Sequence, residues 1–255
     1  MGGGVSRDAL QVVAAGGFAA IALTAASTLR LGLSREIAWA AARAAAQLAV
    51  VGALITLVFE VEPLAIAFVA AMVLTAALTS GGRLRVVPGA RRRVAVAIGL
   101  PALTAVGLLL LIGAFAATPR AAVPTAGILI GGAMTAATIT GRRLLEALED
   151  QEGEIEARLS LGDDAQTALR PILRRAVTTG LVPVIDQTRS VGLVTLPGTF
   201  VGLVLGGASP AAAARVQLLV LLALLAVELF SALIVGRLLL QTVIAPGERI
   251  VVPGR

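Results

Sequence analysis

Ionisable side chains stand inside long apolar runs of this sequence, where a charge costs enough to need a reason. Asp186 and Arg189 lie three residues apart in the run Thr179–Gly206, and Glu228 lies midway along Ala212–Leu240. The first of these runs also holds Thr188, Ser190, Thr195 and Thr199, together with the pair Pro197-Gly198. Carboxylates, hydroxyls and carbonyls freed by a broken helix are the ligands that hard cations take. Asp186, Thr188, Arg189, Thr195, Pro197, Thr199 and Glu228 therefore form a candidate path for a permeating ion. Met134 is the one soft sulfur nearby. Each has a plainer alternative. Arg43 or Arg189 paired with Asp186 would lock helices together, threonines bond their own helix, and prolines kink one helix around another.

A second cluster lies outside the apolar runs. From Arg142 to Arg158 the chain reads as an amphipathic helix with Leu144, Leu145, Leu148, Ile155 and Leu159 on one stripe. Glu146, Glu149, Asp150, Glu152, Glu154 and Glu156 occupy the other faces, and Gly153 marks a bend. Gly162 supplies a turn, Asp163 or Asp164 caps a short helix Ala165–Arg170, and Pro171 ends it. Ala165, Ala168 and Leu169 offer a small flat face with Arg170 on its rim, suited to a partner protein. The alternative is a solvated connector.

Composition says what must hold these residues. Hydrophobic residues make up 58% of the 255-residue chain and charged residues only 14%. A soluble domain is nearer half apolar and a quarter charged, so the chain is expected in a lipid bilayer. Net charge is +6, and all 21 basic residues are arginine. They fall in short loops, which points to membrane orientation and not to nucleic acid. Cysteine and histidine are absent, which removes thiolate ligands, disulfides and the commonest metal ligand. No lysine is present to build a P-loop, so no enzymatic nucleotide chemistry and no cofactor are expected on this chain. The start, Met1 to Asp8, lacks a basic stretch before a short apolar core, and no cleaved signal peptide is expected.

Seven runs are long enough to span a bilayer: about 10–33, 37–59, 64–80, 94–117, 123–140, 179–206 and 212–240. The expected fold is an all-α polytopic bundle forming one integral-membrane domain over 1–255, with a cytoplasmic loop at about 142–178. Arginines crowd alternate loops, at Arg30 and Arg35, Arg83 to Arg93, Arg142 to Arg175, and after Arg237. That alternation puts the N-terminus outside and the C-terminus in the cytoplasm. Pro101, Pro183 and Pro197 interrupt spans, and Pro197-Gly198 is expected to break its helix. Gly198, Gly202 and Gly206 recur at packing spacing and are expected against a neighbouring helix or a second copy of the chain; Gly127 and Gly131 form another such pair.

Several of these features occur together in a known pattern. Glu156-Ala157, Gly162 and Pro171 are spaced like the cytoplasmic coupling loop of ABC-transporter permeases. Gly131 to Ala137, Arg142 to Glu146, Ile185 to Gly198 and Gly207 to Pro210 resemble the FetB-type permease family. The resemblance is dense from Gly127 to Arg237 and thin before it, limited to Arg43 with Gln47-Leu48. It implies the membrane subunit of a metal or small-ion exporter in the cell membrane, working as a homodimer with a separate ATPase. The residues Glu156, Ala157, Gly162, Asp163, Asp164, Ala165, Ala168, Leu169, Arg170 and Pro171 would then receive that ATPase. An ATP-independent carrier or channel using the intramembrane carboxylates, and a membrane scaffold, are the competing readings. The chain departs from the family pattern at Gly132, Thr199, Phe200 and Leu203, where asparagine, two methionines and glutamine usually stand. Soft and amide ligands for a transition metal are missing at those positions.

Overall fold

The computed structural model of the chain describes residues 7–114, 116–245 and 249–250. Among them are nine α-helices and a two-stranded antiparallel ribbon. Chain contacts divide into two compact units, 1–60 and 61–255. In the first, α1 (Arg7–Thr28) and α2 (Ser34–Glu60) pack as a helical hairpin. Its connection includes Gly32 at φ 72°, a left-handed value that a glycine adopts without a Cβ clash.

The second unit holds α3 (Glu62–Arg83), α4 (Ala90–Leu111), α5 (Pro119–Asp150), α6 (Glu152–Ser160), α7 (Ala165–Ser190), α8 (Gly198–Leu205) and α9 (Pro210–Val243). The strands β1 (Ile244–Ala245) and β2 (Arg249–Ile250) follow. Pro119 and Pro210 sit at the first turn of α5 and α9, where the missing N–H costs no helical bond. A continuous core runs through the interfaces, with Val94, Ile98, Leu129, Leu144, Leu169 and Leu239 fully enclosed.

Close approaches at glycines fix the helix directions. A Cβ on Gly81 would meet the Arg91 backbone at 2.7 Å, and one on Gly99 would meet Val73 at 3.2 Å, so α3 and α4 are antiparallel. Gly127 faces Met72, and Thr138 donates to the Ser80 hydroxyl at 2.8 Å, so α3 and α5 run the same way. The Ser231 hydroxyl donates to the Ala133 carbonyl at 3.0 Å, and Gly141 faces Leu239, so α5 and α9 are also parallel. Leu173 sits over Gly236 while Val177 clusters with Ala232, so α7 runs opposite to α9.

Among the described residues six helices are long and apolar enough to cross a bilayer: α1 to α5 and α9. The run 179–206 is not one of them, because its residues divide between the end of α7, a turn and α8. The break falls earlier than Pro197-Gly198 suggested. It begins at Val191, with Gly192 at φ 84° and its N–H bonded to the Thr195 carbonyl at 2.8 Å. Pro197 instead becomes the N-cap residue of α8. Leu193 is 94% exposed, which an unbroken packed helix would not leave.

Two other boundaries differ from expectation. Pro171 does not end a short helix, since α7 runs unbroken through Pro171 and Pro183. Proline there forfeits a backbone bond, but Leu169, Ile172 and Ala176 around it are buried in the core and hold both flanks. The bend expected at Gly153 falls at Gln151, between α5 and α6. Leu144, Leu148 and Ile155 are buried as the stripe required. Gly198 and Gly202 face open space, and α8 buries none of its residues, so that triplet packs no helix of the described unit.

Candidate functional site

A polar layer of hydroxyls and one carboxyl runs lengthwise along the interfaces that α5 makes with α3, α7 and α9. Glu228 is only 5% exposed, and one of its oxygens, Oε2, has no hydrogen-bond partner. Its other oxygen lies 2.5 Å from where a Cβ on Gly132 would stand. Glycine at 132 is thus what lets the carboxyl lie against α5. One turn along α9, buried Ser231 donates to the Ala133 carbonyl, and on the side of α5 that meets α3 buried Thr138 donates to buried Ser80. Further down α5, the Thr140 hydroxyl is buried, unpartnered and pressed against Gly180 of α7. Gln217 on α9 carries a third buried unpartnered oxygen. Such groups cost about 1–3 kcal/mol each when left unpaired, so an apolar bundle does not accumulate them by default.

The second site is the corner between α6 and α7. Gly162 takes φ 97°, where a side chain would be strained. Asp164 is the cap: its Oδ1 accepts the Thr167 N–H at 2.6 Å. The Thr167 side chain and backbone bonds together hold the Asp164 carboxyl below its usual range. Glu154 and Arg158 pair at 3.1 Å along α6, both largely solvated. Asp164, Gln166, Thr167, Arg170 and Leu173 on α7, with Arg237, Leu240, Gln241 and Ile244, line an open cleft of about 430 Å³. Arg170 and Arg237 are exposed and form no ion pair among the described residues.

The family model described as Uncharacterised protein family UPF0014 matches residues 9–244 of this chain. The chain is a UPF0014 membrane protein. It is 38% identical to UPF0014 membrane protein STAR2 of rice over 83% of this chain and 75% of that protein. It is 34% identical to the Arabidopsis thaliana protein ALUMINUM SENSITIVE 3, over 75% and 71%. With the probable iron export permease protein FetB of Escherichia coli K12 it shares 30% identity over 80% of each chain. No solved structure matches it. It is therefore a multi-pass membrane protein of the UPF0014 family.

In this UPF0014 chain the path residues read from sequence separate into two groups. Asp186 and Arg189 are exposed on α7, and among the described residues no ion pair joins them to each other. Thr188 donates to its own helix at the Val184 carbonyl, 2.7 Å away. Thr195 is exposed in the turn, while Pro197 and Thr199 are half-buried at the start of α8. Met134 is half-buried against the core. Glu228 stands in the interior layer, with no hydrogen bond or ion pair to Asp186. Among the described residues no group of three or more histidine, cysteine or acidic side chains could hold a metal.

The coupling residues divide as well. Glu156, Ala157, Gly162, Asp164 and Arg170 are exposed, and Asp163 and Pro171 are half-buried. Ala165, Ala168 and Leu169 are 3%, 2% and 0% exposed. The flat apolar face assigned to a partner is instead the face that α7 packs on its own bundle. An amphipathic stripe reads alike from sequence whichever protein covers it. Sequence reasoning also missed the buried polar groups Ser80, Thr138, Thr140, Gln217 and Ser231. The one available signal was polar residues inside apolar runs, and hydroxyls are too common in spans to stand out.

Proposed function

We propose that this UPF0014 chain is the membrane subunit of an ABC-type exporter, two copies working with two separate ATPase subunits. One observation carries the reading: α7 is a single 26-residue helix that starts at the capped polar corner and ends at the broken segment. At 1.5 Å per residue it spans about 39 Å. A push on its first turn therefore reaches Val191–Pro197 without passing through a flexible joint. The corner spacing Glu156-Ala157, Gly162 and Pro171 is that of an ATPase coupling loop. Small ions or metals are the cargo class, and export the direction, by analogy with the name of the Escherichia coli relative.

The same reading has seven crossings, with α7 as the one that length and composition miss. Parallel α5 and α9 need a return crossing between them, and α7 runs the opposite way in contact with both. Five charged residues, Arg170, Arg174, Arg175, Asp186 and Arg189, keep it from scoring as an apolar span. The arginine alternation places the corner in the cytoplasm and the N-terminus outside. Docking falls to the exposed side of the corner, Glu156, Ala157, Gly162, Gln166, Thr167 and Arg170, beside the cleft. Asp186 and the turn that follows line the outer half of the path.

Co-purification with the ATPase of the neighbouring reading frame tests this. Arg170→Glu reverses the charge on an exposed rim, and a loss of ~3 kcal/mol at the interface weakens binding more than a hundredfold. The variant is expected to insert normally and to lose the ATPase. Ala168→Glu buries a carboxylate in the bundle and is expected to lose the fold itself. Undiminished ATPase binding by Arg170→Glu refutes the docking assignment.

A further inference from the structure

We propose that Glu228 is a cation-exchange site inside the bundle, carrying a proton in the closed state and releasing it when a hard divalent cation binds. The inference rests on the transport reading above and deepens it by naming the exchanging group. A carboxyl buried to 5% exposure with one oxygen unpartnered has no donor in the protein to satisfy it. The elements packed on α9 are α4, α5, α7, α8 and β1. Their ionisable groups stand elsewhere. Arg91, Arg92 and Arg93 open α4 beside the end of α3. On α5, Arg120 is at the start, while Arg142, Arg143, Glu146, Glu149 and Asp150 lie past Gly141, which faces Leu239. On α7, Arg170, Arg174 and Arg175 sit at the corner end, and Asp186 and Arg189 at the far end are exposed. α8 and β1 have none. No ion pair reaches Glu228 among the described residues.

The surrounding donors choose the ligand class. The buried oxygens beside Gly132 are the Glu228 carboxyl, the Ser231 hydroxyl one turn along α9, and the Ala133 carbonyl that accepts from it. All are hard ligands, suited to a divalent cation that prefers oxygen, and no imidazole or thiol is present to favour a soft one. The Gly132 side of the carboxyl is filled, since a single Cβ would already touch Oε1. Binding therefore requires α5 and α9 to part, which ties occupancy to a conformational step. On binding, the Glu228 O–H bond breaks, the electron pair stays on the carboxylate, and the proton leaves to water as the cation takes its place.

Two measurements on the purified full chain in lipid nanodiscs test it, and neither needs the ATPase, so failure here is distinct from failure of the docking reading. First, dicyclohexylcarbodiimide is applied at pH 6 to 8. It reacts with a protonated carboxyl: the proton moves to a carbodiimide nitrogen, oxygen bonds the central carbon, and the adduct rearranges to a stable N-acylurea. Mass spectrometry is expected to find that adduct on Glu228, with MnCl2 suppressing it. Second, Mn2+ binding is followed by electron paramagnetic resonance with a pH indicator present. The parent and a surface control, Glu149→Gln, are expected to release protons on binding. Glu228→Gln, which keeps the side-chain shape, is expected to weaken Mn2+ by at least about tenfold and to release none. Glu228 left unmodified, modification indifferent to Mn2+, or unchanged Mn2+ affinity in Glu228→Gln each overturns the proposal.

Discussion

Replacing Gly180 with alanine should separate α7 from α5, and removing the Thr140 hydroxyl should bring them back. A Cβ at Gly180 would collide with the Thr140 hydroxyl oxygen and come within 3.3 Å of the Ala136 carbonyl. Overpacking of this kind costs about 1–3 kcal/mol, against roughly 1 kcal/mol gained from the better helix propensity of alanine. Gly180→Ala is thus expected to lose up to about 2 kcal/mol, or up to ~8 °C in the unfolding midpoint at ~2–4 °C per kcal/mol. Thr140→Ala removes a buried hydroxyl that has no partner. Relief of about 1–3 kcal/mol of desolvation offsets the packing lost with the methyl group, so this variant should lie near the parent. Combined, the two changes leave room for the new Cβ, and the double variant should recover most of the loss, a coupling of ~1–2 kcal/mol. Thermal unfolding in detergent, followed by loss of the monodisperse species, measures all four corners of the cycle. Purely additive losses would show that α7 does not lie against α5 at this register.

Two further outcomes test the corner and the orientation. The Asp164 carboxyl is depressed by its bonds to Thr167, so its cap is fully formed above the ordinary carboxylate range and is lost as pH falls through the depressed value. Hydrogen exchange at the first turn of α7 should accordingly be slow at neutral pH and rise in acid, whereas Asp164→Ala should exchange fast at both; equal protection in that variant would remove the cap. Single cysteines in this cysteine-free chain probe sidedness: Thr118→Cys is expected to react with an impermeant maleimide from outside the cell and Val86→Cys to stay unlabelled. The reverse pattern would invert the topology.

Apolar runs and arginine spacing made the bundle legible from sequence, because both follow from what a bilayer tolerates at each depth. Asp164 as cap and Gly162 as the left-handed turn were legible for a similar reason: few residue types do either job. What failed to read was continuity. Pro171 looked like an end because proline removes a backbone bond, yet Ile172 and Leu169 bury the helix on either side and outweigh it. Pro197-Gly198 looked like the break, yet Gly192 supplied the positive φ and the chain turned there first. In both cases local chemistry offered two sites, and long-range packing chose between them.

The interior layer was hidden for a different reason. Gly132, Gly180 and Gly236 follow no common spacing, since each answers a single side chain on another helix: Glu228, Thr140 and Leu173. Such pairings join residues far apart in the chain, and no period in one helix announces them. Gly132 stands where the resemblance to the FetB-type family leads one to expect asparagine, and the packing gives a physical reason for glycine. A larger side chain there would enter the space that the Glu228 carboxyl fills. In this chain the two positions share one space, the glycine leaving the room that the buried acid fills. Restoring asparagine at Gly132 should therefore be disruptive in this chain and tolerated with Glu228→Ala, which vacates the space. Thermal midpoints of Gly132→Asn with and without that second change measure it. Equal midpoints in the two backgrounds would mean that the side chain at 132 and the Glu228 carboxyl do not compete for the same space.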